Sequence, residues 1–376
     1  MNCIIDLTKE TCNKRKHEVI MLNNDDNNDD VQECKKMKKT NKQQNYRDSV
    51  QQAILDLEEN GFAIVPKTLD EDQCEEVSND MFSWLESLNS NFKRDDPTSW
   101  TTENMPHAMH GIIKQYGVGH TAWCWNVRNR NRVQAFFRNL YNSEVNNWIN
   151  DSSSTHTMQN SLVTSFDGAC IVAPNKQHSG RAWFHLDQSP KNGTSRQCVQ
   201  GFVTINDMNA EDNTLHVLKQ SHKHFKEFAK EFHPETGSWP SKDWIKLTST
   251  QKEWFNSRGC KEVRIDAPAG SLVLWDSRVV HCTAPAKQKN NPKWRMVVYV
   301  CMMPRSRCTE KVILKRKRAY KDQRTTNHWP IRPSLNGLKF QTYGESLNKW
   351  ALDPRADKLL SLEISQKQLK KRMRLI

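Results

Sequence analysis

Between residues 161 and 303 the chain breaks into eight short segments, and these restrict its fold more than any other feature. They read SLVTSFDGACIV, RAWFHLDQ, RQCVQGFVTINDM, NTLHVLKQSH, EVRIDAPAG, SLVLWDS, VVHCTAP and RMVVYVCMM. Each is rich in β-branched and aromatic residues and is bounded by Gly, Asn, Asp or Pro, the texture of strands closed by turns. Such a succession predicts a β-sandwich or barrel surrounded by helices. One insertion, about 222–258, reads as helical and falls between the fourth and fifth of these segments.

The flanks have different textures. Residues 1–48 are polar and charged, including NNDDNNDD, and read as a disordered arm. Residues 49–160 read as a helical layer packed on the barrel. Ile54, Leu55 and Leu57 have helical spacing with Gly61 as the C-cap, FAIV is a short strand stopped by Pro66, and Asp70 is an N-cap. Val77, Met81, Trp84 and Leu85 then form one buried helix face. The stretch carrying Trp123, Trp125, Arg128, Arg130 and Arg132 has the composition of a nucleic-acid contact. The helical spacing of Val133, Phe136, Phe137 and Leu140 predicts a helix docked on the core instead. Residues 306–376 form a basic extension.

Lys plus Arg number 56 against 43 Asp plus Glu, a net charge of +13. The densest runs are Lys315–Arg318 and Lys370–Arg374, with further clusters at Lys14–Lys16 and Lys35–Lys39. They suit nuclear-localisation signals, solvated helix faces, or nucleic-acid attraction through basic tails. No apolar run approaches the roughly 20 residues of a membrane helix, so no membrane insertion is expected. There is no secretory signal pattern, and the 11 cysteines form no CxxC pair. This predicts an intracellular, reducing compartment, cytoplasm or nucleus, with free thiols.

The chemistry centres on His185 and Asp187, two residues apart on a strand end and therefore on one face. His281, 96 residues further on, follows another strand and fits as a third ligand. Two imidazoles and a carboxylate form a facial triad with open positions, the donor set of non-haem Fe(II) oxygenases. Arg295, 14 residues past His281, opens the last strand and shares a face with Val297 and Tyr299. Its guanidinium can grip a carboxylate bidentately, and the Thr283 hydroxyl, on the His281 face, can donate to the same group. Arg278 is the other guanidinium in this region.

These residues and their context resemble the phytanoyl-CoA dioxygenase-like group of Fe(II)/2-oxoglutarate oxygenases. The matching stretches are GFAIVPKTLDEDQCEEV, WFHLDQSP, CVQGFVTINDMNAEDNTLHVLKQSHKHF and GSLVLWDSRVVHCTAP, and the likeness spans about residues 50–305. Within that group the chain is most similar to members that carry HGIIKQYGVGH, SFDGACIV and a C-terminal HWP segment. The resemblance implies a double-stranded β-helix of the jelly-roll, cupin-like kind, with iron on His185, Asp187 and His281. It also implies 2-oxoglutarate held by Arg295 and Thr283, O2 as second co-substrate, and hydroxylation of a substrate with release of succinate and CO2. The loop Ala286–Trp294 makes the interval from His281 to Arg295 longer than in the family.

Around this set, Gln188 is placed to orient Asp187 or touch substrate, Gln200 to reach 2-oxoglutarate, and Trp183 to wall the pocket. Lys114 and Tyr116 are candidate contacts from the segment that precedes the barrel, where His107, His110 and His120 also lie. Packing is the competing role for each of these. The expected substrate is a small molecule, and an anion is compatible with the charge. Two other readings use the same residues. One is a lapsed oxygenase fold acting as a basic nuclear module that binds nucleic acid or protein. The other is a cupin-like metalloenzyme that uses another metal and no 2-oxoglutarate.

Overall fold

The structure, a computed structural model, describes residues 44–109, 111–142, 161–174, 183–235, 237–287, 293–337, 372 and 376. The chain divides into two compact units, Met1–Arg47 and Asp48–Ile376. Of the first, residues 44–47 are described, and they are helical. The expected disordered arm, with Lys14–Lys16 and Lys35–Lys39, otherwise lies outside the described residues, as does His110.

In the second unit the strands run β1 (Phe62–Val65), β2 (Ile112–Ile113), β3 (Leu162–Thr164), β4 (Ala169–Val172), β5 (His185–Leu186), β6 (Val199–Thr204) and β7 (Thr214–Lys219). They continue as β8 (Ile245–Lys246), β9 (Lys261–Arg264), β10 (Leu272–Asp276), β11 (His281–Ala284), β12 (Arg295–Val300) and β13 (Met302–Pro304). The helices are α1 (48–60), α2 (Glu71–Leu88), α3 (Ala122–Arg128), α4 (Asn131–Asn142), α5 (Phe225–Glu231), α6 (Ser249–Ser257) and α7 (Glu310–Lys321).

Two antiparallel sheets face each other, a six-stranded one in the order β1-β10-β6-β12-β4-β2 and a five-stranded one in the order β8-β5-β11-β7-β9. Their inner faces share one apolar core. Phe202, Val273, Trp275 and Val297 from the larger sheet meet Leu215 and Val217 from the smaller. The period of two is visible on β7, where Leu215 and Val217 enter this core and Leu218 turns to the opposite side. There Leu218, with Leu186 and Cys282, packs against Phe225 and Phe228 of α5 and Phe255 of α6. These two helices cover the outer face of the smaller sheet. This is the double-stranded β-helix that the sequence implies.

Two of the eight predicted strands are each split. SLVTSFDGACIV becomes β3 and β4, and RMVVYVCMM becomes β12 and β13. Both breaks occur at one level, because Ser165 N–H donates to the Cys301 carbonyl at 2.8 Å while β3 pairs with β13 and β4 with β12. The β3–β13 pair leaves the large sheet as a unit and forms a two-stranded sheet of its own. The segment before the barrel is not purely helical either, since β1 and β2 supply the two edges of the large sheet.

Local signals explain the flanking elements. Asp70 accepts from Gln73 N–H at 3.0 Å and forms a capping box, a contact typically worth about 1 kcal/mol. Gly61 ends α1 at φ +83°, and its N–H donates to the Leu57 carbonyl at 3.1 Å; a side chain there would strike Val279 and His222. Ile54, Leu57, Val77, Met81, Leu85 and the apolar face of α4 are all buried, whereas Leu55 is exposed. The basic run on α7 is not a uniform patch. Arg316 is fully buried, donating to the carbonyls of Thr164, Pro330 and Ile376. Arg128 is likewise buried, bonded to the carbonyls of Gly119 and Asp167. Lys370–Arg374 lies outside the described residues except Arg372, which is buried. Among the described residues, no helix is long and apolar enough to cross a membrane.

Candidate active site and metal centre

The turn after β10 carries the chain from the large sheet to the small one, and it places His281 opposite His185 in the β11–β5 register. Asp276 builds that turn, accepting the Arg278 N–H at 2.8 Å and the Arg278 side chain at 2.7 and 3.0 Å. Asp187 follows two residues after His185 on the same face. Its carboxylate lies between the imidazoles, with Oδ1 3.7 Å from His185 Nε2 and Oδ2 3.3 Å from His281 Nε2.

One ligand atom from each of the three residues lies within 4.8 Å of the others. The ring nitrogens are sorted by backbone contacts. His281 Nδ1 lies 2.9 Å from the Val279 carbonyl, and His185 Nδ1 lies 3.4 Å from that of Trp183. With Nδ1 at these carbonyls, both Nε2 atoms face the carboxylate, and a bound divalent metal would take them as lone-pair donors in place of their protons. Burial works to raise the Asp187 carboxyl. The charges of His185, His281 and His328, with the His281 hydrogen bond, outweigh it and hold the group well below the carboxylate range. Asp187 is thereby held as a carboxylate, the form that ligates a metal.

A cavity of about 1120 Å³ opens over these ligands. Arg295 and Thr283 line it, Arg295 from the large sheet and Thr283 from the small one. The guanidinium is buried, with Nη1 3.0 Å from Cys170 Sγ and a bond to Tyr299, while Nε has no hydrogen-bond partner. An unpaired buried donor beside a metal-ready triad fits the distal carboxylate of 2-oxoglutarate. Arg278 is committed to Asp276 and does not line the cavity.

The two glutamines behave differently from their sequence neighbourhood. Gln200, expected at 2-oxoglutarate, lines the cavity and donates from Nε2 to Asp187 Oδ2 at 3.1 Å. Gln188, next to Asp187 in the chain, turns away. Its amide donates to Gly193 and Ser195 at 2.9 and 2.8 Å and accepts from Ser277 Oγ at 2.6 Å and Gln197 N–H at 3.2 Å. It organises a loop and does not line the cavity.

Trp183 stacks on His185, ring centroids 4.6 Å apart, and forms a wall. Lys114 lines the cavity; burial lowers its ammonium pKa, and the charges of Asp187 and Asp167 oppose that shift. Tyr116 lies outside the lining and accepts the His107 N–H at 3.0 Å. His120 and His222 are structural, held at the carbonyls of Arg324 and Glu58.

Sequence reasoning missed two groups of lining residues. Lys242, Trp244 and Lys246 come from the insertion, and Thr326, Asn327, His328 and Asn336 from beyond the barrel. The alternation in SKDWIK was a legible signal for the first group. HWP stood out for the second without indicating a place in the cavity.

A family model described as "Phytanoyl-CoA dioxygenase (PhyH)" matches residues 57–297. The chain belongs to the phytanoyl-CoA dioxygenase family. It is an oxygenase-type enzyme, and His185, Asp187 and His281 are the residues that could hold its iron. A curated relative, "Ava biosynthesis cluster protein O" of Aspergillus versicolor, is 28% identical over 280 residues, covering 72% of this chain and 83% of that protein. Among solved structures, a putative oxidoreductase of Salmonella typhimurium LT2 aligns over 82% of each chain at 11% identity, with a TM-score of 0.52. A hypothetical protein of Escherichia coli aligns over 74% of each chain at 14% identity, also with a TM-score of 0.52. These structural likenesses concern the fold alone. The family match ends at residue 297, so the His328 segment lies beyond it.

Proposed function

We propose that this family member is an Fe(II)- and 2-oxoglutarate-dependent dioxygenase that hydroxylates a small-molecule substrate. The observation that carries this reading is the convergence of His185, Asp187 and His281 within 4.8 Å, in a cavity that also holds the under-bonded Arg295 guanidinium. His185 and His281 present their Nε2 lone pairs, and Gln200 fixes the rotation of the Asp187 carboxylate. Arg295 and Thr283 take the distal carboxylate of 2-oxoglutarate, which orients its other end toward the ligands. Trp183, Phe184, Phe202 and Leu247 keep water away from the reacting C–H bond. When bound, iron with 2-oxoglutarate and O2 supplies the oxidising power for hydroxylation, with 2-oxoglutarate leaving as succinate and CO2. The cavity volume suits a small molecule, and the biosynthesis-cluster relative supports the same substrate class.

The test is an anaerobic titration of the full chain with Fe(II), then 2-oxoglutarate, following the weak visible charge-transfer band. A band in the wild type that is lost in His185→Ala and Asp187→Ala is expected. No band in metal-replete wild type would overturn the proposal.

A further inference from the structure

The metal strand β5 has a second neighbour in its sheet besides β11. This is β8, from the insertion, whose Lys246 pairs with His185 and Ile245 with Leu186. Residues opposite each other in an antiparallel pair point to the same side, so Lys246 shares the side of the metal ligand. Lys242 and Trp244 lie in the bent segment that leads into this two-residue strand. Lys242, Trp244 and Lys246 line the cavity. Asp243 is bound elsewhere, to Asn192 Nδ2 at 2.6 Å and near Arg332 at 3.9 Å, and Ile245 packs with the helices of the insertion.

Trp244 is 48% exposed, the one aromatic among the large exposed hydrophobic side chains of the described residues. It continues a row of rings that ends at His185. Trp244 lies 5.5 Å from Trp183, and Trp183 lies 4.6 Å from His185. The Trp244 and Trp183 planes are inclined at 59°, so Trp183 does not stack flat on Trp244. Lys242 and Lys246 form no ion pair with any described acidic residue. The neighbouring Lys252 differs: it is paired with Glu262 at 2.6 Å and lies over the Phe184 ring. Of the acidic residues lining the cavity, Asp187 belongs to the metal set, and Asp167 is buried with Ser165 Oγ donating to it at 3.0 Å. Neither neutralises the two lysines.

We propose that Lys242, Trp244 and Lys246 form the substrate-recognition face, and that the substrate is a small organic anion carrying a planar, conjugated ring. The ring stacks on Trp244, and the anionic group sits between the two ammonium groups. This assignment rests on the reading of the cavity as the active site, but its test needs no turnover.

Calorimetric titration of the full chain, anaerobic with Fe(II) and saturating 2-oxoglutarate, compares three probes of similar size. They are naphthalene carboxylate, naphthyl methanol and cyclohexane carboxylate. The planar anion should bind about tenfold more tightly than either comparator, the scale of one stacked ring or one desolvated charge contact. Trp244→Ala should remove the preference over cyclohexane carboxylate, and the double variant Lys242→Ala/Lys246→Ala the preference over naphthyl methanol together with its salt dependence. The charge-transfer band should be unchanged in both, showing that fold and metal site are intact. If the band is missing even in the wild type, the oxygenase reading fails, and the same titration on metal-free protein still decides this proposal. Equal affinities, a preference that survives in both variants, or no binding of the planar anion at about millimolar concentration would overturn it. Tighter capture of a single-stranded oligonucleotide through the same three residues would overturn the small-molecule class.

Discussion

Arg295→Met tests the co-substrate anchor through two effects of opposite sign. The guanidinium is buried in the core, with a thiol and a phenol as partners and Nε unpaired. An unsatisfied buried donor costs about 1–3 kcal/mol. Replacing a buried charge by an apolar side chain of similar length is often neutral or stabilising by ~1–4 kcal/mol. Against this stands the loss of hydrogen bonds to Tyr299 and Cys170, roughly 1 kcal/mol. The metal-free variant should therefore gain about 1–2 kcal/mol, a rise in Tm of ~2–6 °C for a domain of this size. Its 2-oxoglutarate affinity should fall, because a buried carboxylate stripped of its guanidinium loses about 2–5 kcal/mol, at least ~30-fold in Kd. Thermal melts of the metal-free protein and the anaerobic 2-oxoglutarate titration read the two effects separately. A variant that melts lower and binds 2-oxoglutarate unchanged would refute the reasoning and make Arg295 a structural pillar.

Asp276→Asn should destabilise the fold by about 3–5 kcal/mol, because Arg278 at 2.7 Å and Arg196 at 3.6 Å lose their buried counter-charge. Burial raises the Asp276 carboxyl, but the two arginines outweigh it and leave it depressed. Its contribution should be full above the ordinary Asp range and fade in denaturant melts as pH falls below about 4. His120 acts in another window: burial pushes its imidazole down to about 3, so only the unfolded chain takes a proton as pH drops below the ordinary His range. Stability should fall by up to ~1.4 kcal/mol per pH unit from about pH 6 toward 3, and His120→Gln should flatten that slope in guanidinium titrations. At Gly168 a side-chain carbon would come within 1.9 Å of the Ile113 carbonyl. Gly168→Ala should push β2 off β4 and cost about 1–3 kcal/mol, measurable as a lower denaturation midpoint with weaker hydrogen-exchange protection at Ala169.

The short β-branched and aromatic segments, each bounded by turn residues, made the β class legible. Local chemistry also announced several elements: the Asp70 cap, the Gly61 turn, and the buried face of α4. His185, Asp187 and His281 were legible because a metal needs a fixed donor set, and the two donors on one strand end declare their shared face. Arg295 was legible because its strand parity puts it on the core side. Residue type and local strand context, which a sequence records directly, carry these readings, and the family resemblance joined the distant His281 and Arg295 to them.

Tertiary structure decided the rest. Gln188 is covalently next to a ligand yet serves a loop, while Gln200, on another strand, reaches Asp187 at 3.1 Å. Arg316 belongs to a basic run yet is buried at three carbonyls. Trp244 and Lys246 reach the metal side because β8 pairs with β5. His328 lines the cavity because the chain beyond the barrel returns over it. In each case segments far apart in sequence set the distance, and which segments meet is a choice of partner that residue order alone does not encode.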